Sequence, residues 1–93
     1  MGKVNIYGQS LGSLTLDAGE TASQVAWPFS FGQAIWIQAQ PLSGLGVEKV
    51  FEVRNFAEEV GSDGVWRVFY DVVNTGANWG SCAIRAFWTD PTD

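Results

Sequence analysis

Aromatic rings interleaved with amide and charged side chains are the residues of this chain that could do chemistry, and that chemistry is ligand binding. Period-two alternation divides each predicted strand into an apolar set and an opposite set. The opposite sets present Trp36, Gln38, Arg67, Phe69 and Phe87. A ring offers a flat apolar plate to the C–H face of a sugar or to a partner's side chain, while amides and guanidinium groups supply directional hydrogen bonds. These five residues are therefore a candidate face for a carbohydrate or protein ligand.

The number of rings supports an exposed face. Five Trp, six Phe and two Tyr in 93 residues exceed what one small core can hide. Trp79 lies in a polar loop and is added to the candidate site, because it either plugs the end of the fold or projects as a binding anchor. The alternative for Trp36, Phe69 and Phe87 is that the N-terminal strands cover them as core rings between the sheets. Trp27, between other rings at a bend, is expected to close the end of the core.

Arg67 and Arg85 are predicted on one face of neighbouring strands, near Glu52 or Asp71. One interpretation is a cross-strand ion pair on a solvated face, worth about 0.2–1 kcal/mol. The other interpretation is that one of these guanidinium groups binds a ligand.

Catalytic signatures are missing from the sequence. The chain has no His, which excludes His-dependent triads, and Cys82 falls on the apolar side of a predicted strand, as an inert buried thiol does. One Cys without His cannot supply a zinc site, whereas calcium stays open because Glu58, Glu59 and Asp63 lie near one turn. We expect a protein that is not an enzyme and has no cofactor.

Charge limits the partners. The net charge is −5 with only five Lys and Arg, which argues against nucleic acid because phosphate neutralisation needs clustered cations. No apolar run approaches the roughly 18–20 residues of a spanning helix, so no membrane span is expected. Charged residues make up 16 % of the chain, below the roughly 25 % of typical soluble domains, and a surface so poor in charge predicts a homo-oligomer.

Short patterned segments between glycine-rich turns predict one all-β domain over residues 1–93. Seven segments are interpreted as strands: Lys3–Tyr7, Ser13–Leu16, Ala22–Trp27, Gln33–Gln40, Val47–Phe56, Val65–Asn74 and Ser81–Thr89. Every connection is short, so pairing is expected to be antiparallel, because a parallel crossover needs roughly a dozen residues or more. The spacing favours a small antiparallel β-sandwich, immunoglobulin-like or jelly-roll-like, of about seven strands.

Two turn signals join the last three predicted strands into a meander. The first is the Asp63-Gly64 pair, which a tight hairpin requires, and the second is Asn74-Thr75-Gly76-Ala77-Asn78. Only Asn55–Val60 has a briefly helical pattern.

The segment Val72-Val73-Asn74-Thr75-Gly76 resembles the V-x-N-x-G strand end of immunoglobulin-like modules in bacterial surface and secreted proteins. Asn and Gly accept the turn conformation that follows such a strand. The resemblance implies an immunoglobulin-like sandwich used as a spacer or binding module.

Together these patterns predict a non-catalytic binding module with lectin-like carbohydrate recognition through exposed rings. The alternative is an immunoglobulin-like module for protein interaction or self-assembly. The start Met1-Gly2-Lys3 has no secretory signal pattern, so a cytoplasmic location is expected, or a secreted one if the chain is an excised domain.

Overall fold

The computed structural model of the protein describes residues 5–42 and 48–91, and these residues form strands and turns without a helix. Their strands are β1 (Ile6–Leu16), β2 (Thr21–Phe29), β3 (Ile35–Pro41), β4 (Phe51–Val60), β5 (Trp66–Asn74) and β6 (Gly80–Thr89). The all-β prediction is confirmed, but the described part of the chain forms six strands where about seven were expected.

The strands form two antiparallel sheets of three, which we call the first sheet (β1-β6-β3) and the second sheet (β2-β5-β4). The two sheets face each other as in a small β-sandwich. Along one side β3 packs against β4, whereas β1 and β2 on the opposite side stay farther apart. The sandwich is therefore closed on the β3–β4 side and open on the β1–β2 side.

The core lies between the two central strands and is completed by β1 and β2. Its buried members come from four strands: Leu16, Ala26, Val68, Tyr70, Val72, Cys82 and Ile84. Burying one such aliphatic side chain stabilises the fold by about 1.5–3 kcal/mol. The alternation predicted for β5 and β6 is confirmed, because every second residue of each central strand points into this core.

The first two predicted strands are one strand in the structure. A turn was expected at Gly8–Gly12, but β1 runs through it and pairs with β6 along its whole length. Its register shifts between Ser10 and Gly12, and Gly12 has a φ of 101°. The glycine therefore serves a β-bulge, which needs the same left-handed backbone that a turn needs. Lys3 and Val4 of the predicted strand lie outside the described residues.

The segment with a helical pattern, Asn55–Val60, belongs to β4. Its pairing with β5 shifts register between Arg54 and Ala57, where Asn55 has a φ of 55°. This bulge rotates the following side chains relative to the strand before it, so the simple period of two is lost in the sequence.

The predicted meander of the last three strands is wrong at its second turn. Asp63-Gly64 does form a tight hairpin between β4 and β5, closed by the Gly61 N–H donating to the Val65 carbonyl at 3.1 Å. After Asn74, however, the chain leaves the second sheet, and β6 becomes the centre of the first sheet. Turn residues signal that a strand ends, but not which sheet the next strand joins.

The amide of Asn74 holds this crossing together. Asn74 is fully buried, and its Nδ2 donates to the Leu16 carbonyl at 3.0 Å and to the Asn78 carbonyl at 2.9 Å. Its Oδ1 accepts from the Gly76 N–H at 3.0 Å. The backbone of Asn74 pairs with the β1–β2 turn, donating to the Glu20 carbonyl and accepting from the Gly19 N–H. One side chain therefore connects the end of β1, the end of β5 and the segment leading to β6.

Asn74→Ala should lower the free energy of unfolding by about 2–4 kcal/mol, because it leaves two buried carbonyls and one N–H without their partner. Asn5→Ala is the matched control, since Asn5 is exposed and its side-chain amide donates to Asp90 on the surface. The control should cost no more than about 0.5 kcal/mol. Equal urea midpoints for the two variants would show that the buried network does not stabilise the crossing.

Candidate functional site

The six predicted site residues do not form one site. Trp36, Gln38 and Phe87 lie together on the outer face of the first sheet. Arg67 and Phe69 lie on the outer face of the second sheet, so the core separates them from the other three. The reason is the crossing after β5, which places β5 and β6 in opposite sheets.

The outer face of the first sheet carries a row of rings next to a row of polar groups. Trp36 lies opposite Phe87, and their rings stack with centroids 5.7 Å apart and an interplanar angle of 17°. On the next rung Gln38 lies opposite Arg85. Ser10 on β1 continues that polar row. We call Trp36, Phe87, Gln38, Arg85 and Ser10 the aromatic face.

Gly8 makes room for the Phe87 ring. It pairs with Phe87 across β1 and β6, and a Cβ atom at Gly8 would lie 3.0 Å from Cε1 of that ring. Real Cβ atoms rarely come so close to a neighbour, so the ring lies over the glycine where any side chain would displace it. A groove of about 300 Å³ runs beside it, lined by Gly8, Gln9, Ser10, Arg85 and Phe87.

Arg85 has a guanidinium group that no carboxylate neutralises within residues 5–42 and 48–91. Arg54 and Arg67, by contrast, each form an ion pair. Arg85 is exposed between the buried Ile84 and Ala86, which directs it outward. A planar fork of N–H donors beside two stacked rings can bind a carboxylate or a hydroxyl pair of a ligand.

Arg67 is engaged at the β4–β5 hairpin. Its Nη2 lies 2.7 Å from Oδ2 of Asp63, and the Asp63 carboxylate also accepts from the Val65 N–H at 3.0 Å. The expected pairing of Arg67 or Arg85 with Glu52 or Asp71 is therefore wrong. Hydrogen bonds from Arg67 and then from the Val65 N–H lower the pKa of Asp63 to about 2.

The other two acids have their own partners. Glu52 pairs with Arg54 at 3.0 Å, and this guanidinium lowers the pKa of Glu52. Asp71 accepts from Asn55 Nδ2 at 2.8 Å and from the Ser23 hydroxyl at 2.7 Å, and both bonds lower the pKa of Asp71.

Trp79 projects from the connection between β5 and β6 and is 65 % exposed. Of the two alternatives for this residue, a plug and a projecting ring, the structure has the projecting ring. It precedes Gly80, which lies seven residues from Phe87 along β6, a distance of about 23 Å. Trp79 therefore cannot touch a small ligand on the aromatic face.

Trp27 is the ring whose environment the sequence analysis missed. It was expected to close the core, but it is 59 % exposed on the edge strand β2, on the open side of the sandwich. Together with Leu11, Val25 and Phe69 it lines two neighbouring grooves, which we call the Trp27 patch; Gln24, Glu59 and Arg67 line these grooves as well. Pro28 was the available signal, because Pro within a strand is typical of an edge strand.

A separate cleft of about 140 Å³ lies at the end of the sandwich where β2 turns into β3. Phe29, Phe31, Trp66 and Ile35 line it, and the rings of Phe31 and Trp66 approach to 5.8 Å. A cavity of this size holds roughly one benzene-sized group, which is too small for a sugar chain.

The thiol and the acids offer little chemistry in the described residues. Cys82 is fully buried, and this burial raises the pKa of its thiol. No three Asp, Glu, His or Cys side chains of residues 5–42 and 48–91 come together as a metal site would need. In the same part of the chain no helix is long and apolar enough to cross a membrane.

Comparisons with known proteins found no match for this chain. No family model matches the chain, and no curated protein or solved structure is significantly similar to it. The resemblance of Val72–Gly76 to immunoglobulin-like modules therefore stays a prediction.

Arg67→Gln should raise the pKa of Asp63 from about 2 toward its ordinary value of about 3.9, while the remaining Val65 N–H bond keeps it below that value. In the wild type the lowered pKa stabilises the folded state above about pH 4, and this contribution is lost as the pH falls toward 2. The measurement is an NMR titration of the Asp63 carboxyl carbon. Arg54→Gln is the control and should leave this titration unchanged; an unshifted Asp63 in Arg67→Gln would contradict the assignment.

Gly8→Ala should displace the Phe87 ring and loosen its stack on Trp36, because the new methyl group meets the ring at about 3.0 Å. The indole chemical shifts of Trp36 report the change, since they depend on the ring current of Phe87. Ser10→Ala removes a side chain from the neighbouring rung and should leave those shifts in place. Identical shifts in wild type and Gly8→Ala would mean that the ring does not depend on the glycine.

Proposed function

We propose that this protein is a non-catalytic binding module whose aromatic face recognises a carbohydrate. The observation that carries the proposal is the stacked pair Trp36–Phe87 beside the rung of Gln38 and Arg85. Apolar plates and directional polar groups lie on one exposed face of a rigid sheet, and such a combination suits a sugar, which has both a C–H face and a rim of hydroxyls.

The spacing of the two rows supports this ligand class. Outward residues of successive rungs are two positions apart, which is about 7 Å along a strand. A sugar ring lying on Trp36 would therefore direct its hydroxyl groups toward Gln38 and Arg85. The two polar groups differ in their hydrogen bonding. The amide of Gln38 both donates and accepts, whereas the guanidinium of Arg85 only donates.

The central strand contributes to the rigidity of this face. Phe87 and Arg85 are on β6, which is paired on both sides, so neither residue needs to be ordered by the ligand. Rings that are already held in place lose little conformational entropy when a ligand binds. The entropic cost of binding is therefore smaller than it would be at a flexible site.

Trp36→Ala should weaken carbohydrate binding at least about tenfold, because a central ring in a binding site contributes more than about 1 kcal/mol. Trp79→Ala is the matched control, since it removes an exposed ring about 23 Å away. A glycan array identifies the sugar, and calorimetry then measures the wild type and both variants. The thermal unfolding midpoints of Trp36→Ala and Trp79→Ala should both lie within a few degrees of the wild-type value.

Arg85→Gln tests the polar row on the same sugar. It should reduce the affinity while leaving the Trp36–Phe87 stack unchanged in the indole shifts. The proposal fails if folded Trp36→Ala binds every array glycan as the wild type does, or if Trp79→Ala alone loses binding.

The second candidate is an immunoglobulin-like module for protein interaction or self-assembly. The Trp27 patch favours it, because large exposed apolar surfaces on soluble domains commonly contact another protein. An array without bound glycans, together with loss of a protein ligand in Trp27→Ser but not in Trp36→Ala, would favour this second function.

A further inference from the structure

The open side of the sandwich leaves two strand edges uncovered. Each three-stranded sheet has two edge strands, and β3 and β4 pack against each other on the closed side. On the other side β1 and β2 present their free backbone edges, separated by two grooves of about 190 and 280 Å³. Unpaired N–H and C=O groups along an edge are a template for another strand.

The β1 edge has few of the features that keep sheets apart. Its eleven residues, Ile6–Leu16, include no charged side chain and no Pro. Edge strands that avoid pairing commonly carry Lys, Pro or an inward-pointing charge. β4, on the closed side, has such protection in Glu52, Arg54, Glu58 and Glu59. The bulge at Gly12 interrupts β1 once and leaves Ile6–Ser10 as a regular, exposed stretch.

Apolar side chains accompany this edge. Ile6, Tyr7 and Leu11 are exposed on β1, and Trp27 is exposed across the gap on β2. Leu11 and Trp27 line both grooves of the open side. The exposed parts of Tyr7 and Trp27 alone amount to about 200 Å², a quarter of the roughly 800 Å² that each partner contributes to a stable interface. The paired strand edges and the other apolar side chains can supply the remainder.

Charge indicates which partner fits. Neither β1 nor β2 carries a charge, so the two strand edges themselves offer no charged group to an oppositely charged protein. An identical copy with a net charge of −5 would be repelled by acids at the contact, and the strands here contain none. One acid, Asp90, lies beside the start of β1: its carboxylate accepts a hydrogen bond from Asn5, and its hydrogen bonding and charge raise the pKa of the Tyr7 hydroxyl.

We propose that the open side is the contact surface for a second copy of this chain, with the two β1 strands paired antiparallel about a two-fold axis. The first sheets of both copies then form one six-stranded sheet, and Leu11 and Trp27 pack between the copies. Such an isologous contact buries the same surface on each copy and closes the assembly at two chains. The proposal uses different residues from the aromatic face and does not rest on carbohydrate binding. It does place two aromatic faces side by side on the joined sheet.

Sedimentation equilibrium of the wild type, from low micromolar to submillimolar concentration, should show a monomer–dimer equilibrium. Leu11→Lys and Trp27→Ser should each weaken the dimer at least about tenfold, because the first puts a charge into an apolar contact and the second removes a packed ring. The matched controls are Val60→Lys, on the exposed end of β4, and Trp36→Ser, on the aromatic face. Both controls should dimerise as the wild type does.

Hydrogen exchange gives a readout that needs no variant. Amides within Ile6–Leu11 should exchange more slowly as the wild-type concentration rises, while those of β4 should not change. A monomer at all concentrations overturns the proposal, and so does a dimer that Leu11→Lys and Trp27→Ser leave intact. If Trp36→Ser or Val60→Lys dissociates the dimer, the interface lies elsewhere on the molecule, and the proposal is overturned as well.

Discussion

The side-chain amide of Asn74 lies where β5 leaves the second sheet and the chain turns toward the first. Its donors reach the carbonyls of Leu16 and Asn78, and its oxygen accepts from Gly76. A buried amide without partners costs about 1–3 kcal/mol per unsatisfied group, so these segments must meet in one geometry. Because Leu16 ends β1 of the first sheet and Asn74 ends β5 of the second, the relative position of the two sheets depends on this contact.

The crossing at Asn74 also decides what the surface offers. β5 and β6 are the central strands of opposite sheets, and each sends one set of side chains into the shared core and the other set outward. Outward residues of β5, such as Phe69, therefore lie on one side of the molecule, and those of β6, such as Phe87, lie on the other. A chain with thirteen rings and a small core consequently displays several separate aromatic surfaces.

The distribution of charge differs between these surfaces. The guanidinium groups of Arg54 and Arg67 are satisfied by Glu52 and Asp63, so they contribute to local structure near the second sheet. Arg85 has no such partner in the described residues and lies beside the Trp36–Phe87 stack, which favours the first sheet as the ligand face. The open side carries apolar groups and free strand edges without charge, which suits a protein contact better than a sugar.

The sequence by itself determined the all-β class, the inner and outer residues of β5 and β6, and the Asp63-Gly64 hairpin. These features are local, since alternation and turn chemistry act over a few residues. It also assigned Trp36, Gln38 and Phe87 to the outward sets of their strands, but the pairing of β3 with β6, which brings them onto one face, belongs to the tertiary structure. Only the tertiary structure decided that Arg67 and Phe69 lie elsewhere and that Trp27 is exposed. The first outcome depends on the crossing held by the hydrogen bond between Asn74 and Leu16, 58 residues apart. The second depends on β2 being an edge strand, and an edge exists only once the strands have paired.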